Sequence, residues 1–217
     1  MNKPYKIAVI DYRISNKYSI QNALNMLGFE CEVTSDYSTI LAADGAILPG
    51  VGSFPEAMKH IKDLGLDKTI RDFIATDKPF MGICLGFQLL FDSSDEIEST
   101  AGLSILSGKV IEFPKKIKKM RVPHVGWNTI SKNNGASTEI VSPFFDSDEG
   151  EYFYFVHSCY VVPENKEIIH STTEYGGIEF CSSIVNKNIF ACQFHPEKSG
   201  EKGMKVLSEM FNKKMEN

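Results

Sequence analysis

One cysteine stands where an apolar strand is expected to turn directly into a helix. Residues 79–83 predict a buried strand, and residues 86–91 follow it with helix-like spacing. The pattern between them, Gly82-Ile-Cys84-Leu-Gly86, is a nucleophile elbow with cysteine in place of serine. Such a turn exposes the thiol at the carboxyl edge of the sheet, and the N–H of Leu85 is left free to stabilise an oxyanion. Cys84 is therefore predicted to be a nucleophile, with an inert core cysteine as the alternative.

A histidine and a glutamate far downstream complete a possible triad. His195 and Glu197 follow the apolar run at residues 189–192 and are separated by Pro196. In an extended chain, residues two apart project to the same side, so the carboxylate can lie beside the imidazole. A carboxylate in that position orients the ring and supports the imidazolium. The sequence thus predicts a Cys-His-Glu triad, although a solvated turn is the better interpretation of these two residues taken alone.

Composition excludes several other classes of protein. The chain has 217 residues, 42% hydrophobic and 24% charged, which argues against a disordered protein. Its net charge of 23 − 28 = −5 disfavours nucleic acid or an anionic membrane as a partner. The first apolar stretch, residues 7–10, is too short for a signal peptide, so a cytoplasmic location is expected.

The five cysteines lack the spacing of a disulfide framework or a zinc site. Their number is odd and no pair is separated as Cys-x-x-Cys. We therefore predict neither a metal site nor a cofactor, and we expect Cys159, Cys181 and Cys192 to pack in the core.

The elements that must position these residues fall into two halves. In the first half, strands are predicted at residues 6–11, 30–34, 45–49 and 79–83, with helices at 19–27, 54–64 and 66–76. This alternation predicts an α/β fold with a mostly parallel sheet and helices on both faces. In the second half, strands are predicted at 110–113, 129–130, 152–156, 168–173, 178–185 and 189–194, before a helix at 203–213. We expect these strands to extend the same sheet in antiparallel fashion, within one domain spanning residues 1–217.

Seven segments in order resemble the class I glutamine amidotransferases, which hydrolyse glutamine to glutamate and ammonia. Among these the likeness is greatest to glutaminase subunits of imidazole glycerol phosphate synthases in histidine biosynthesis. The segments are residues 7–12 (IAVIDY), 48–54 (LPGVGSF), 81–91 (MGICLGFQLLF), 122–128 (VPHVGWN), 154–158 (YFVHS), 172–175 (TTEY) and 193–199 (QFHPEKS). The resemblance covers nearly the whole chain and implies a flavodoxin-like fold.

The resemblance also implies a role for each matched residue. Cys84 would form a thioester with the substrate, His195 would transfer protons and Glu197 would orient His195. A second oxyanion donor would come from the turn that contains Val51 and Gly52. The implied glutamine-binding residues are Gly50, Gln88, Glu96, His157 and Ser158. The implied contacts with a cyclase subunit, which receives the ammonia to form imidazole glycerol phosphate and AICAR, are Asn16, Trp127, Tyr154 and Lys198.

One loop departs from the family pattern. Where the family has Asp-Tyr-Gly-x-Gly-Asn, this chain has Asp11-Tyr-Arg13-Ile-Ser15-Asn16. Since arginine does not adopt positive φ cheaply, we expect a different loop conformation with a cation near the site. Together with the long stretch at residues 132–150, this leaves an alternative open: a paralogous glutaminase that supplies a sugar amidotransferase in surface-polysaccharide biosynthesis.

Two other classes of protein are distinguished by what each would require. A papain-like or other cysteine hydrolase acting on peptides would be active without a partner. An inactive regulatory or binding domain would have a broken triad, whereas all three residue types are present here.

Overall fold

The computed structural model describes residues 5–114, 121–133 and 150–212. The strands are β1 Lys6–Ile10, β2 Glu30–Thr34, β3 Gly45–Leu48, β4 Phe80–Ile83, β5 Phe91–Ser94, β6 Thr100–Ala101, β7 Leu106–Glu112, β8 His124–Lys132, β9 Glu151–His157, β10 Cys159–Pro163, β11 Ile169–Tyr175, β12 Ile178–Asn186 and β13 Ile189–Cys192. The helices are α1 Lys17–Met26, α2 Tyr37–Ala42, α3 Phe54–Asp63, α4 Leu66–Ile74, α5 Leu85–Gln88 and α6 Gly200–Asn212. In the described part of the chain, no helix combines the length and apolar character needed to cross a membrane.

A nine-stranded mixed sheet runs through the molecule in the order β2-β1-β3-β4-β13-β12-β11-β8-β9. The first five strands of this order are parallel, with β13 beside β4. The remaining four pair in antiparallel fashion. The predicted α/β fold, with a parallel sheet extended by antiparallel strands, is confirmed.

The buried side chains of the strands alternate between the two faces of this sheet. Helices therefore cover both faces. Along β1, Ile7 and Val9 pack in a cluster with residues of α1 and α6. Ala8 and Ile10 point the other way, into a cluster with residues of α2, α3 and α4. Strands buried on both sides read as continuous apolar runs, which is why the pattern of the first half predicted them well.

A second sheet was not predicted. Strands β10, β7, β5 and β6 form a separate four-stranded sheet, and its buried residues join the cluster on the α3 side. The run at residues 110–113, expected to extend the main sheet, instead belongs to β7 in this second sheet. β5, β6 and β10 were missed because two of them are short and β10 follows β9 after a single residue.

Several boundaries also differ from expectation. The six-residue helix α2 was not predicted, and α5 ends at Gln88 rather than continuing to Phe91, which begins β5. β8 is longer than the two residues expected. Its beginning was missed because the inward positions there are His124 and Gly126, which give no apolar alternation. Residues 134–149, within the long stretch noted in the sequence, lie outside the described residues.

Glycine is required where the elbow after β4 packs against the end of β3. A Cβ on Gly86 would overlap the carbonyl oxygen of Leu48, and one on Gly50 would overlap the hydroxyl of Tyr12. Both obstacles lie in the interior and one is backbone, so neither can move aside cheaply. The elbow and the turn after β3 are thereby held in direct contact.

We predict that Gly86→Ala lowers the free energy of unfolding by about 3 kcal/mol, because overpacking against backbone displaces the elbow. Gly177→Ala is the matched control: its φ of +80° makes a side chain costly, but no atom lies within 4 Å of its Cβ position. The control should lose only about 1 kcal/mol, the cost of left-handed backbone. Equal losses in urea unfolding would contradict the close-contact explanation.

Candidate active site

Cys84 occupies a strained backbone position at the elbow. Its φ and ψ are 55° and −110°, and its N–H donates to the carbonyl of Cys192 at the end of β13. α5 begins at the next residue, Leu85. Because the first N–H groups of a helix have no partner within it, the N–H of Leu85 is available beside the sulfur. The elbow predicted from the sequence is therefore present in the fold.

His195 and Glu197 form a buried pair. His195 Nδ1 lies 2.8 Å from Glu197 Oε1, and both side chains are almost fully buried. Pro196 begins a short 3-10 helix that ends at Lys198, which brings the two side chains together by a helical turn rather than by the extended chain expected. The predicted contact between them is found, through a different local geometry.

The electrostatic surroundings favour a charged imidazole. Burial acts to lower the pKa of His195, but the charge and hydrogen bonding of Cys84 and of Glu197 raise the pKa to about 10. His195 Nε2 has no hydrogen bond of standard geometry among the described residues. It is therefore the ring nitrogen that remains to exchange a proton with the Cys84 thiol.

A cavity of about 220 Å³ opens onto the sulfur. Its lining residues come from the turn after β3, the elbow, the end of β9 and the start of β10. They are Val51, Gly52, Cys84, Leu85, Gln88, Glu96, Pro123, Val156, His157, Ser158, Cys159 and His195. Glu197 lies behind His195, where it can touch the ring but not a ligand.

Four of the five residues expected to bind substrate line this cavity. Glu96 Oε2 accepts the N–H of Phe54 at 2.6 Å, which places a carboxylate at the N-terminus of α3. Gly50 does not line the cavity in the described structure. Its lack of a side chain is instead explained by the Tyr12 hydroxyl and the elbow, which crowd its Cα.

His157 is a neutral side chain with fixed hydrogen bonds. Its Nδ1 lies 2.8 Å from the carbonyl of Cys159, so Nδ1 carries the proton and Nε2 accepts one from His124 Nδ1 at 3.0 Å. Burial lowers the pKa of His157 to about 3. Both ring nitrogens of His157 are engaged within the protein, so the side chain shapes the cavity and carries no charge at neutral pH.

The turn expected to supply a second oxyanion donor borders the cavity. Val51 is partly exposed, and Gly52 has a φ of +93° that glycine adopts readily. Both residues line the cavity together with Leu85.

Three of the four residues expected at a partner interface form one surface cluster. Trp127 and Tyr154 are paired across β8 and β9 with rings 6.2 Å apart, and Lys198 Nζ lies 5.9 Å from the Tyr154 ring. The Tyr154 carbonyl accepts the N–H of His195, so the cluster is joined directly to the site. The fourth residue, Asn16, donates to Glu197 Oε1 at 3.3 Å, a contact that sequence reasoning missed.

In the loop after β1, Arg13 does not follow our expectation that arginine would avoid positive φ. Arg13 adopts a φ of 80°, the left-handed region that glycine would occupy without strain. Its side chain is exposed, and its N–H donates to Asp11 Oδ1 at 2.9 Å. The nearby cation that is bound is Lys17, which pairs with Asp11 Oδ2 at 2.5 Å.

Two groups that contact the sulfur of Cys84 were not predicted from the sequence. Cys84 Sγ lies 3.7 Å from the carbonyl of Val156 and 3.6 Å from Nε2 of Gln193. A main-chain carbonyl leaves no signal in sequence. Gln193 precedes the His-Pro-Glu segment and could have been singled out as a polar residue after a buried strand.

The chain was compared with known proteins. A family model described as glutamine amidotransferase class-I matches residues 8–214. The imidazole glycerol phosphate synthase subunit HisH of Moorella thermoacetica is 46% identical over 201 residues, which cover 93% of this chain and 91% of that protein. The subunit of the same name from Aquifex aeolicus is 45% identical over 212 residues, covering 97% and 98%. The solved structure of PurLQS from Thermotoga maritima has a TM-score of 0.72 over 97% of this chain and 99% of that chain; at 23% identity it supports the fold alone.

We predict that Glu197→Gln lowers the pKa of His195 below its value of about 10, because the carboxylate no longer stabilises the imidazolium. The raised pKa means that the imidazolium contributes stability below the ordinary pKa of histidine and loses it as the pH rises through the folded-state value. In Glu197→Gln that loss should begin at lower pH. NMR titration of the imidazole nitrogens measures the pKa of His195, and the titration of His170 is the control. An unchanged His195 titration would show that Glu197 does not support the charge.

Proposed function

The chain belongs to the class I glutamine amidotransferase family and is a glutaminase, and we propose that Cys84, His195 and Glu197 are its catalytic triad. The observation that carries this proposal is the geometry around one cavity. A strained elbow presents Cys84 to it, and a buried imidazole–carboxylate pair joined at 2.8 Å borders the same space. A binding domain that only kept the fold would have no need for this arrangement.

In the first half of the reaction, His195 Nε2 takes the proton from Cys84 Sγ. The thiolate attacks the side-chain amide carbon of glutamine, and the N–H groups of Leu85 and of Val51 or Gly52 stabilise the oxyanion. The carbon–nitrogen bond then breaks, and the imidazolium gives its proton to the departing ammonia. A γ-glutamyl thioester on Cys84 remains.

In the second half, a water molecule enters where ammonia left. His195 takes a proton from the water as it attacks the thioester carbon, and a second oxyanion forms at the same donors. Collapse of this intermediate releases glutamate, and the sulfur regains its proton from His195. Glu197 orients the ring throughout and does not transfer a proton.

We propose that Gln88, Glu96, His157 and Ser158 hold the rest of the substrate. Support comes from their common position around the cavity. The carboxylate of Glu96 offers a counter-charge for the α-ammonium group of glutamine. Gly50 acts one layer deeper, by letting the oxyanion turn pack on the elbow.

We further propose that the chain works as one subunit of an imidazole glycerol phosphate synthase and passes ammonia to a cyclase in histidine biosynthesis. The support comes from the relatives of Moorella thermoacetica and Aquifex aeolicus, which are synthase subunits of this kind and are 46% and 45% identical to the chain over more than nine-tenths of both lengths. Glutaminase supply to a sugar amidotransferase is the alternative, motivated by Arg13 and Ser15 in place of the family's glycines.

The docking face that we propose is the cluster of Trp127, Tyr154 and Lys198. Trp127 is 55% exposed, and neighbouring residues on the same outward face of β8 and β9, such as Val125 and Tyr152, are also exposed. A partly buried aromatic pair with a cation is the composition expected of an interface anchor. Because the N–H of His195 donates to the Tyr154 carbonyl, a partner bound here would lie next to the proposed triad.

We propose that residues 1–217 act as a single domain in the cytoplasm. Both hydrophobic clusters pack on the same sheet, which supports one folding unit. All five cysteines are free, as is common in a reducing compartment.

The triad assignment predicts graded losses of glutamine hydrolysis. Cys84→Ala should lower kcat by at least roughly 10³-fold, since no nucleophile remains. His195→Ala should be comparable, whereas Glu197→Gln should lose less because the imidazole stays in place. Circular dichroism of each variant accompanies the activity assays and confirms that the variant is folded. Retained activity in Cys84→Ala, or equal complete losses in His195→Ala and Glu197→Gln, would contradict the assigned roles.

Docking is predicted to raise hydrolysis by about 10²–10³-fold in kcat, the value of one aligned oxyanion donor. The measurement is glutamine turnover with and without the genomically adjacent cyclase. Trp127→Ala should weaken this activation, while Met26→Ala, which changes an exposed apolar residue at the C-terminal end of α1, should not. Full activity of the chain without its partner would contradict the predicted activation by docking.

The double variant Arg13→Gly with Ser15→Gly tests partner choice. If the partner is a sugar-amidating enzyme, it should no longer activate this variant; an unchanged response would leave the loop without a specificity role.

A further inference from the structure

Gln193 is a buried polar residue to which the reaction described above assigns nothing. It follows β13, its side chain is inaccessible to solvent, and its N–H donates to the carbonyl of Ser182 at 2.9 Å. A primary amide in such a place costs free energy unless its donors and acceptor are paired. Its partners therefore indicate what the residue does.

The orientation of this amide is fixed by a main-chain carbonyl two steps away. Gln88 Nε2 lies 3.0 Å from the carbonyl of Cys159 and 2.9 Å from Gln193 Oε1. The carbonyl can only accept, so the Gln88 atom facing it must be the NH₂ group. The Gln193 atom facing that NH₂ group must then be its oxygen.

With its oxygen facing Gln88, Gln193 directs its NH₂ group toward the nucleophile. Gln193 Nε2 lies 3.6 Å from Cys84 Sγ, on which it can only act as a donor. The carbonyl of Val156, 3.7 Å from the sulfur, can only accept from it. The two contacts have opposite effects: the carbonyl holds the proton of the thiol, whereas the amide N–H stabilises the thiolate, and it does so more strongly once the sulfur is charged.

We propose that Gln193 is a positioning residue for the nucleophile: its amide N–H stabilises the Cys84 thiolate and holds the sulfur, and Gln88 keeps that amide in the required orientation. The proposal rests on Cys84 being the nucleophile. It also assigns Gln88 a second task, since both amide hydrogens of Gln88 are engaged within the protein and only its oxygen faces a substrate.

The test is the pH dependence of alkylation of the cysteines by iodoacetamide, followed by peptide mass spectrometry. In Gln193→Met, which keeps the side-chain volume but removes the donor, the profile of Cys84 should move upward by about one pH unit. At pH values below the midpoint of this profile, the rate of alkylation of Cys84 should fall about ten-fold. Cys31, half-buried and distant in the fold, is the internal reference and should not move. Gln21→Met makes the same chemical change on α1 and should leave both profiles as in the wild type.

A second variant covers a failure of Gln193→Met to fold. Gln193→Asn retains an amide that is too short to reach both Gln88 and the sulfur, and it should displace the Cys84 profile in the same direction. An unmoved Cys84 profile in either folded variant would overturn the proposal, as would an equal displacement of Cys31, which would indicate general loosening. Failure of the triad assignment would look different, because Cys84→Ala would then retain glutamine hydrolysis whatever the Gln193 variants do.

Discussion

The backbone at Cys84 is the constraint on which the rest of the site depends. A φ of 55° and a ψ of −110° turn the chain from β4 into α5 within one residue. This turn is possible only because Gly86 lets the elbow pack on the Leu48 carbonyl, with Gly50 beneath the adjoining turn. Strain of this kind persists when surrounding structure determines it, and here it is surrounded by buried strands on both sides. The sulfur, the Leu85 N–H and the turn that contains Val51 and Gly52 are positioned together as a result.

The sheet brings the second half of the site to the first. β13 lies parallel to β4, with Cys192 opposite Ile83, and the N–H of Cys84 donates to the Cys192 carbonyl. Whatever follows β13 must therefore emerge beside whatever follows β4. This is how Gln193 and His195 come to the sulfur from more than a hundred positions along the chain. Open α/β sheets place their sites at this edge for the same reason.

Burial and hydrogen bonds together set the chemical state of the site. Glu197 and the thiolate favour a charged His195, whereas burial keeps His157 neutral. The Cys159 carbonyl accepts from both His157 and Gln88, so one main-chain oxygen fixes the orientation of two cavity residues. Asn16 donates to the carboxylate of Glu197 and so joins the loop after β1 to the proposed triad. Ligand binding and docking thus act on groups whose proton positions are already determined.

Much of this could be predicted from sequence where the information is local. The elbow at Cys84 and the pairing of His195 with Glu197 follow from short patterns, and the parallel strands follow from apolar runs. The second sheet could not be predicted, because short strands such as β6 carry little periodic signal and their pairing depends on distant partners. The contact of Asn16 with Glu197 and the aim of Gln193 at the sulfur likewise depend on tertiary structure. The expectation for Arg13 was wrong because a cost of about 1–2 kcal/mol for left-handed backbone is small enough for the surrounding fold to impose.

The most direct measurement is detection of the covalent intermediate. The chain is mixed with L-glutamine, with its partner present, quenched in acid within one turnover, and digested for mass spectrometry. We expect a γ-glutamyl group on the peptide that contains Cys84, released by hydroxylamine as a thioester would be, and no such group on the peptides of the other four cysteines. Ammonia release with Cys84 unmodified throughout, or with the acyl group on another residue, would contradict it.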